Sequence, residues 1–425
     1  MRNLYTLAIR VALPFILLRL WWRGRREPGY HVKVAERFGK YEPGSEKAQA
    51  GAGIVWIHAV SVGEARAAAP LVHALRQALP EHRLLITCMT AAGRATLEQI
   101  YGEVASIVWL PYDYPGAVHG FLGHFKPRLG VLMETEIWPN LLAACAEQNV
   151  PVLLANARMS EKSARRYARW AGLTSPALRG LAAVCAQSED DAKRLRELGA
   201  PPAEVTGNLK FDVLPAPSQV AAGRAWREQL ARPVLLFAST REGEEKMLLD
   251  AVSQAGRSSP ESSPANLLVI VVPRHPQRFD DVARWADARR SRGEIPEGRH
   301  KIYLGDTMGE MAFYFAAADV AVIGGSFVPL GGQNLIEALA VGTPVVAGPS
   351  MFNFAEATRV AVKAGAAIQA PDAVSAIRLA LSLLLDTDKR RRMSAAGRAL
   401  CEAHRGATER HLRACLRLLT ARARG

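Results

Sequence analysis

Short apolar runs of five to seven residues, bounded by turn-forming residues, recur along the chain with helical periodicity between them. They fall at 54–58, 83–88, 106–110, 129–133, 151–155 and 182–186. After a Pro/Ala-rich stretch at 213–223 the series restarts at 233–238, 266–272, 319–323 and 343–347. Buried strands alternating with helices predict parallel sheets built from βαβ units. Two doubly wound, Rossmann-like α/β domains are expected, over 27–212 and 224–425, joined by a linker at 213–223, with packing of the last helix back on the first domain left open. Such sheets bind ligands beyond the carboxyl ends of their strands, and a cleft between the domains is expected. The segment 253–266 reads as a polar surface loop.

The pattern changes at the amino terminus. From Leu4 to Trp22 the chain is strongly apolar, interrupted by Arg10, Pro14 and Arg19. A spanning helix needs about 20 apolar residues, and a central Arg costs about 2.5–3.5 kcal/mol. Arg2, Thr6 and Arg10 recur every four residues, which makes one polar stripe and keeps an interfacial helix open beside a span or a core helix. No small-residue cleavage site follows, against a removed signal peptide. Arg23, Arg25 and Arg26 belong on the cytoplasmic side, and Trp21 and Trp22 suit the headgroup layer. Residues 1–26 are expected to anchor the protein to a membrane.

Charge sharpens this. The chain has 425 residues, 49% hydrophobic and 22% charged, with a formal net charge of +14. Such a balance calls for an anionic partner. Nine Lys/Arg against two Glu stand in residues 1–40, beside the apolar segment, which favours a membrane surface over nucleic acid. The five cysteines are scattered without a CxxC pair, so neither a disulfide framework nor a zinc site is expected. Neither GxxxxGK[ST] nor a GxGxxG after the first strand occurs, which counts against ATPases and dinucleotide dehydrogenases.

Candidate chemistry lies just past the expected strands. Ser61-Val62-Gly63-Glu64 fits a capping box, yet Glu64 also stands where a doubly wound domain places its ligand. A carboxylate there serves either as a cap or as a general base. Glu134 and Glu136 end another strand, as salt-bridged caps or as site residues. Lys210, in VTGNLKFD, is a surface lysine or a phosphate contact. Ser239 and Thr240 precede an acidic first helical turn, as ordinary caps or as an anion site. Pro273 and Pro276 restrict the backbone around Arg274 and His275, and orient Arg274 for a structural ion pair or a bidentate phosphate contact. In 322–349, Gly324, Gly325, Gly331 and Gly332 lie between a strand and a helix opened by Asn334. Bare glycines there let amides approach a phosphate or ribose, with Glu337 placed for ribose hydroxyls.

The strings SVGE, METEIWPN, NARMS, GNLKFD, PRHPQRF, GDTMGEM, GGSFVPLGGQN and GPSMFNF occur in that order across nearly the whole chain. Together they resemble the 3-deoxy-D-manno-octulosonic acid (Kdo) transferases of lipopolysaccharide synthesis, a GT-B glycosyltransferase family. The resemblance implies inverting transfer of Kdo from CMP-Kdo to the lipid A precursor at the cytoplasmic face of the inner membrane, with no required metal or other cofactor. By motif, Glu64 looks like the base on the acceptor hydroxyl, and Glu134 and Lys210 look like transition-state stabilisers. Pro273 and Arg274, then Met308, Gly309 and Glu310, then Asn334, Leu335, Ile336 and Glu337 look like the CMP-Kdo-binding set. The chain departs from the family where Gln333 and Arg241 replace histidines, so any acid or charge role of those histidines is in doubt here. A GT-B-like sugar-nucleotide epimerase and a non-catalytic lipid-binding protein are the alternatives.

Overall fold

The computed structural model describes residues 1–42, 53–258, 264 and 266–424. The chain forms two compact units, Met1–Val213 with Arg405–Gly425, and Leu214–His404.

The first unit is built on β1 (Gly53–His58), β2 (His82–Cys88), β3 (Ala105–Trp109), β4 (Leu129–Met133), β5 (Val152–Ala157), β6 (Ala183–Ala186) and β7 (Ala203–Val205). All pairs are parallel, in the order β3-β2-β1-β4-β5-β6-β7. The central strands are apolar at nearly every position because both faces are covered. Ile54 and Trp56 of β1 pack on one side with Phe121 and Phe125, while Val55 and Ile57 pack on the other with Leu71 and Leu75. That alternation is the two-residue period of a strand. The second face is closed by the last helix, Ala407–Arg424, through Ala407, Ala414 and Cys415. The second domain thus ends at His404, and the last helix packs back on the first unit, the alternative left open for it, and covers that unit's apolar sheet face.

The second unit holds β8 (Val234–Thr240), β9 (Leu268–Pro273), β10 (Ala288–Arg289), β11 (Ile302–Leu304), β12 (Val320–Ile323), β13 (Val345–Ala347) and β14 (Ala367–Gln369). They too are all parallel, ordered β10-β11-β9-β8-β12-β13-β14. Leu235, Phe237, Val271, Val322 and Val346 form its core with Leu248, Ile377 and Leu381.

Strands β7, β10, β11 and β14 lie at or next to sheet edges and span only two or three residues, too few to carry a period in sequence. The expected linker 213–223 is helical from Pro217, which opens the helix Pro217–Leu230. Of the expected loop 253–266, residues 253–258 complete the helix Glu244–Ser258, and 259–263 and 265 lie outside the described residues. All five cysteines are buried, and none of them forms a disulfide.

The amino-terminal helix, Arg2–Arg26, is long and apolar enough to cross a membrane. Its polar stripe turns toward its own unit. Arg2 pairs with Glu147 at 3.4 Å, Tyr5 donates to Asp113 at 3.0 Å, and Thr6 donates to Asn140 at 3.1 Å. At the other end Leu20 packs with Tyr30 and Ala91, and Gly24 is pressed against the His31 ring. Leu4, Leu7, Val11, Phe15, Leu18 and Trp22, spaced three or four apart, form one exposed apolar stripe. Arg25 and Arg26 stack on Trp21 and Trp22.

Candidate active site

In the first sheet β1 stands between β2 and β4, so the chain leaves it in opposite directions and the switch point lies at the carboxyl ends of β1 and β4. Glu64 enters from the first turn of the helix Val62–Ala67 after β1, and Glu134 follows β4 directly. Lys210 comes from the turn Leu209–Asp212, and its Nζ lies 2.9 Å from Glu134 Oε1. The structure thus places Glu134 and Lys210 in one ion pair, with both side chains less than one-fifth exposed.

Glu134 has φ 57°, the left-handed region, held by its N–H donating to Ala155 O at 2.9 Å. For a residue with a Cβ such a conformation costs on the order of 1–3 kcal/mol, and it concentrates at functional sites.

Glu64 is both a cap and something more. Its N–H donates to Ser61 Oγ at 3.5 Å, Ser61 Oγ donates to Oε1 at 3.3 Å, and the Val60 N–H donates to Oε2 at 2.8 Å. Those bonds favour the carboxylate, yet the Glu64 pKa is pushed up to about 8, by burial first and then by the Glu134 charge. Glu136 is pushed up to about 7 by burial and by Glu134. Three carboxyl groups within reach of one another therefore share a site that does not tolerate three charges.

Two members of this site were not legible beforehand. Asn156, also left-handed at φ 52° and fully buried, accepts from the Leu209 N–H next to Lys210. His411 of the last helix accepts from the Asn156 N–H. Only NARMS among the motifs pointed at the first, and nothing local pointed at the second.

In the second unit the switch point lies between β8 and β12. Ser239 at the end of β8 is left-handed at φ 59°. Glu244 is fully buried and accepts from the N–H groups of Arg241, Gly325 and Phe327 at 2.8, 2.6 and 3.0 Å. Two amides of the glycine-rich loop expected to meet a phosphate are thus taken by Glu244. Gly324 is needed for packing: a Cβ there would lie 2.5 Å from Ser239 O.

The other expected donor-site residues divide. Pro273 ends β9, and the half-buried Arg274 donates its N–H to Thr240 O. Met308 is exposed, Gly309 O accepts from Gln219, and Glu310 is tied to Arg290 at 2.8 Å and to Thr307. Asn334 Oδ1 accepts from the Ile336 N–H at the start of the helix Ile336–Val341, and Glu337 lies half-buried in its first turn. Leu335 and Ile336 are buried in the core, which leaves only their backbone for a ligand.

Gln333 and Arg241 meet at one place. A Cβ on Gly325 would lie 3.0 Å from Gln333 Nε2 and 3.5 Å from Arg241 Cγ. Arg241 Nη1 donates to His275 Nε2 at 2.7 Å. Burial and the charges of Arg241, Arg274 and Arg278 lower the His275 pKa, keeping the imidazole a neutral acceptor. These three arginines at the ends of β8 and β9 suit an anionic ligand. Among the described residues no group of three or more His, Cys, Asp or Glu side chains is placed to hold a metal ion.

The 3-deoxy-D-manno-octulosonic acid transferase of Bordetella pertussis is 48% identical over 97% of this chain and 98% of its own length. The chain belongs to the Kdo transferase family. The Haemophilus influenzae Kdo transferase is 33% identical over 97% of each chain. The family profile described as 3-deoxy-D-manno-octulosonic-acid transferase covers residues 32–213, and that of glycosyl transferases group 1 covers 290–400. Anabaena Alr3699/HepE in complex with UDP covers 87% of this chain and 100% of its own, at a TM-score of 0.58 and 15% identity. The UDP-GlcNAc 2-epimerase of Neisseria meningitidis covers 82% of this chain and 98% of its own, at 0.53 and 16%. These likenesses show the two-Rossmann fold of the Kdo transferase alone, and the epimerase alternative has only that fold behind it.

Proposed function

We propose that this Kdo transferase moves Kdo from CMP-Kdo to the lipid A precursor by a single inverting displacement, with Glu64 as general base. The observation that carries the proposal is the Glu64 carboxyl, at the switch point beside the Glu134–Lys210 pair, with its proton affinity lifted to about 8. A base whose pKa lies near the working pH combines availability with driving force. Glu64 takes the proton of the acceptor's primary hydroxyl. The freed oxygen bonds to the anomeric carbon on the face opposite CMP. The bond from that carbon to the phosphate oxygen breaks, and its electron pair leaves with CMP.

The donor's anomeric carbon is tertiary and bears a carboxylate, so bond breaking leads and oxocarbenium character develops. Charge builds on the departing phosphate, and preorganised cations are the cheapest way to stabilise it. Lys210, held in place by Glu134, offers such a charge in the first unit, and Arg274 offers one to the nucleotide phosphate in the second. The first unit takes the acceptor and the second the nucleotide.

The amino-terminal helix seats the enzyme on the cytoplasmic face of the inner membrane. Its polar contacts at one end and its packing at the other support a helix lying along the bilayer surface, with the Leu4-to-Trp22 stripe in the acyl layer. The net charge of +14 suits anionic lipid and a phosphorylated acceptor.

Mass-detected transfer from CMP-Kdo to purified lipid A precursor, comparing wild type with Glu64→Gln, tests this. A loss of about 10²-fold or more, with CMP affinity kept and Tm not lowered, is expected. Full transfer by a Glu64→Gln protein with a lowered Tm would show a cap and no base.

A further inference from the structure

His411 lies 201 positions after Lys210 in sequence, yet it is buried beside the turn that carries that lysine. Its hydrogen bonds settle its tautomer. Nδ1 lies 2.7 Å from Ala407 O, which can only accept, so Nδ1 carries the proton. Nε2 lies 2.9 Å from the Asn156 backbone N, which can only donate, so Nε2 is the acceptor. Burial lowers the His411 pKa to about 4, which keeps this neutral form.

From Nε2 the connection continues inward. Asn156 is held at φ 52°, and its Oδ1 accepts from the Leu209 N–H at 3.0 Å. Leu209 is followed by Lys210, whose Nζ meets Glu134 at 2.9 Å. The same helix grips the turn from both sides. Asp212 accepts from the N–H groups of Gly406 and Thr408 at 2.9 and 2.6 Å, and Arg410 Nε donates to Thr206 O at 2.8 Å.

We infer that His411 is a positioning residue for Kdo transfer: its Nε2 lone pair holds Asn156 in the left-handed conformation that fixes the Lys210 turn against Glu134. This rests on the role proposed above for Lys210. Without the acceptor the buried Asn156 N–H has no partner, and the strained residue relaxes toward ordinary φ. Leu209 then follows, and the ammonium leaves the place where the transition state needs it. A displacement of about 1 Å at a reacting centre can cost on the order of 10²-fold in rate.

The experiment is a double-mutant cycle on the full-length enzyme, crossing His411→Leu with Lys210→Ala, with His411→Gln as rescue. Glutamine presents an acceptor oxygen near the place of Nε2, whereas leucine presents none. Expected is a kcat about tenfold or more lower for His411→Leu with donor KM unchanged, recovery in His411→Gln, and no further loss when His411→Leu is added to Lys210→Ala. Equal losses in both backgrounds, or wild-type kcat in His411→Leu, would overturn the inference. Should Lys210→Ala itself transfer normally, the fault lies with the role of Lys210, and the positioning role falls with it. If His411→Leu does not fold, Asp212→Asn, which loosens the same helix from the same turn, enters the cycle in its place with the same expected pattern.

Discussion

The Lys210 ammonium lies 2.9 Å from the Glu134 carboxylate, across 76 positions of sequence, with one partner on a turn and the other on a left-handed residue at a strand end. A pair this enclosed is poorly screened by solvent, so removing one partner strands the other. The Glu134 charge also raises the proton affinity of Glu64.

Lys210→Ala is therefore expected to destabilise the first unit by roughly 1–3 kcal/mol, between an exposed pair and a fully buried one. Transfer is expected to fall by about 10²-fold or more, as when a preorganised charge is removed. Urea unfolding and single-turnover transfer measure the two effects. Unchanged single-turnover rates would remove Lys210 from the chemistry.

Glu64 sets a pH dependence with a definite sign. Its folded pKa of about 8 lies above the ordinary 4.5, so the base is largely protonated below 8. Then kcat/KM rises about tenfold per pH unit up to that value and levels above it. Stability runs the other way. The folded state holds the proton more tightly than the unfolded chain, so the native state loses stability as pH climbs from about 4.5 to 8. Glu64→Gln removes that loss, and its Tm should gain on wild type across that window. A flat activity profile from pH 6 to 9 would dismiss Glu64 as the titrating base.

Glu244 organises the second unit's switch point through three amides. Glu244→Ala leaves buried donors unmet, at about 1–3 kcal/mol for each. A clearly lower Tm and weaker CMP binding by calorimetry are expected together, while Ala at the exposed neighbour Glu242 leaves both within error. Normal CMP affinity in Glu244→Ala would separate this loop from the nucleotide site.

The exposed stripe on the first helix predicts the route to the membrane. Val11→Asp with Phe15→Asp places two charges in its middle, at about 2.5–3.5 kcal/mol each if the stripe is immersed. Flotation with anionic vesicles should be lost, while transfer to detergent-dispersed acceptor persists. Flotation equal to wild type would mean that another surface holds the membrane.

Much of this was legible in the chain. The apolar runs of β1, β4, β8 and β9 announce themselves because a strand covered on both faces needs apolar residues at nearly every position. Glu64 as a cap was equally readable, since Ser61 and Glu64 are three apart and their bonds are local. The ordered motifs carried the family. Leu335 and Ile336 show the limit: the family resemblance grouped them with Asn334 and Glu337, and only the fold shows that their side chains are buried.

The sequence by itself thus determined the longer strands, the caps, the apolar amino-terminal helix and the family, because each depends on neighbours a few residues away. Only the tertiary structure decided that Lys210 reaches Glu134, that Glu244 takes the amides of a loop 81 positions on, and that His411 meets Asn156 across 255. It also decided the proton affinity of Glu64, which depends on how much water is excluded and which charges lie near in space. Desolvation and through-space charge leave no periodic trace along a chain.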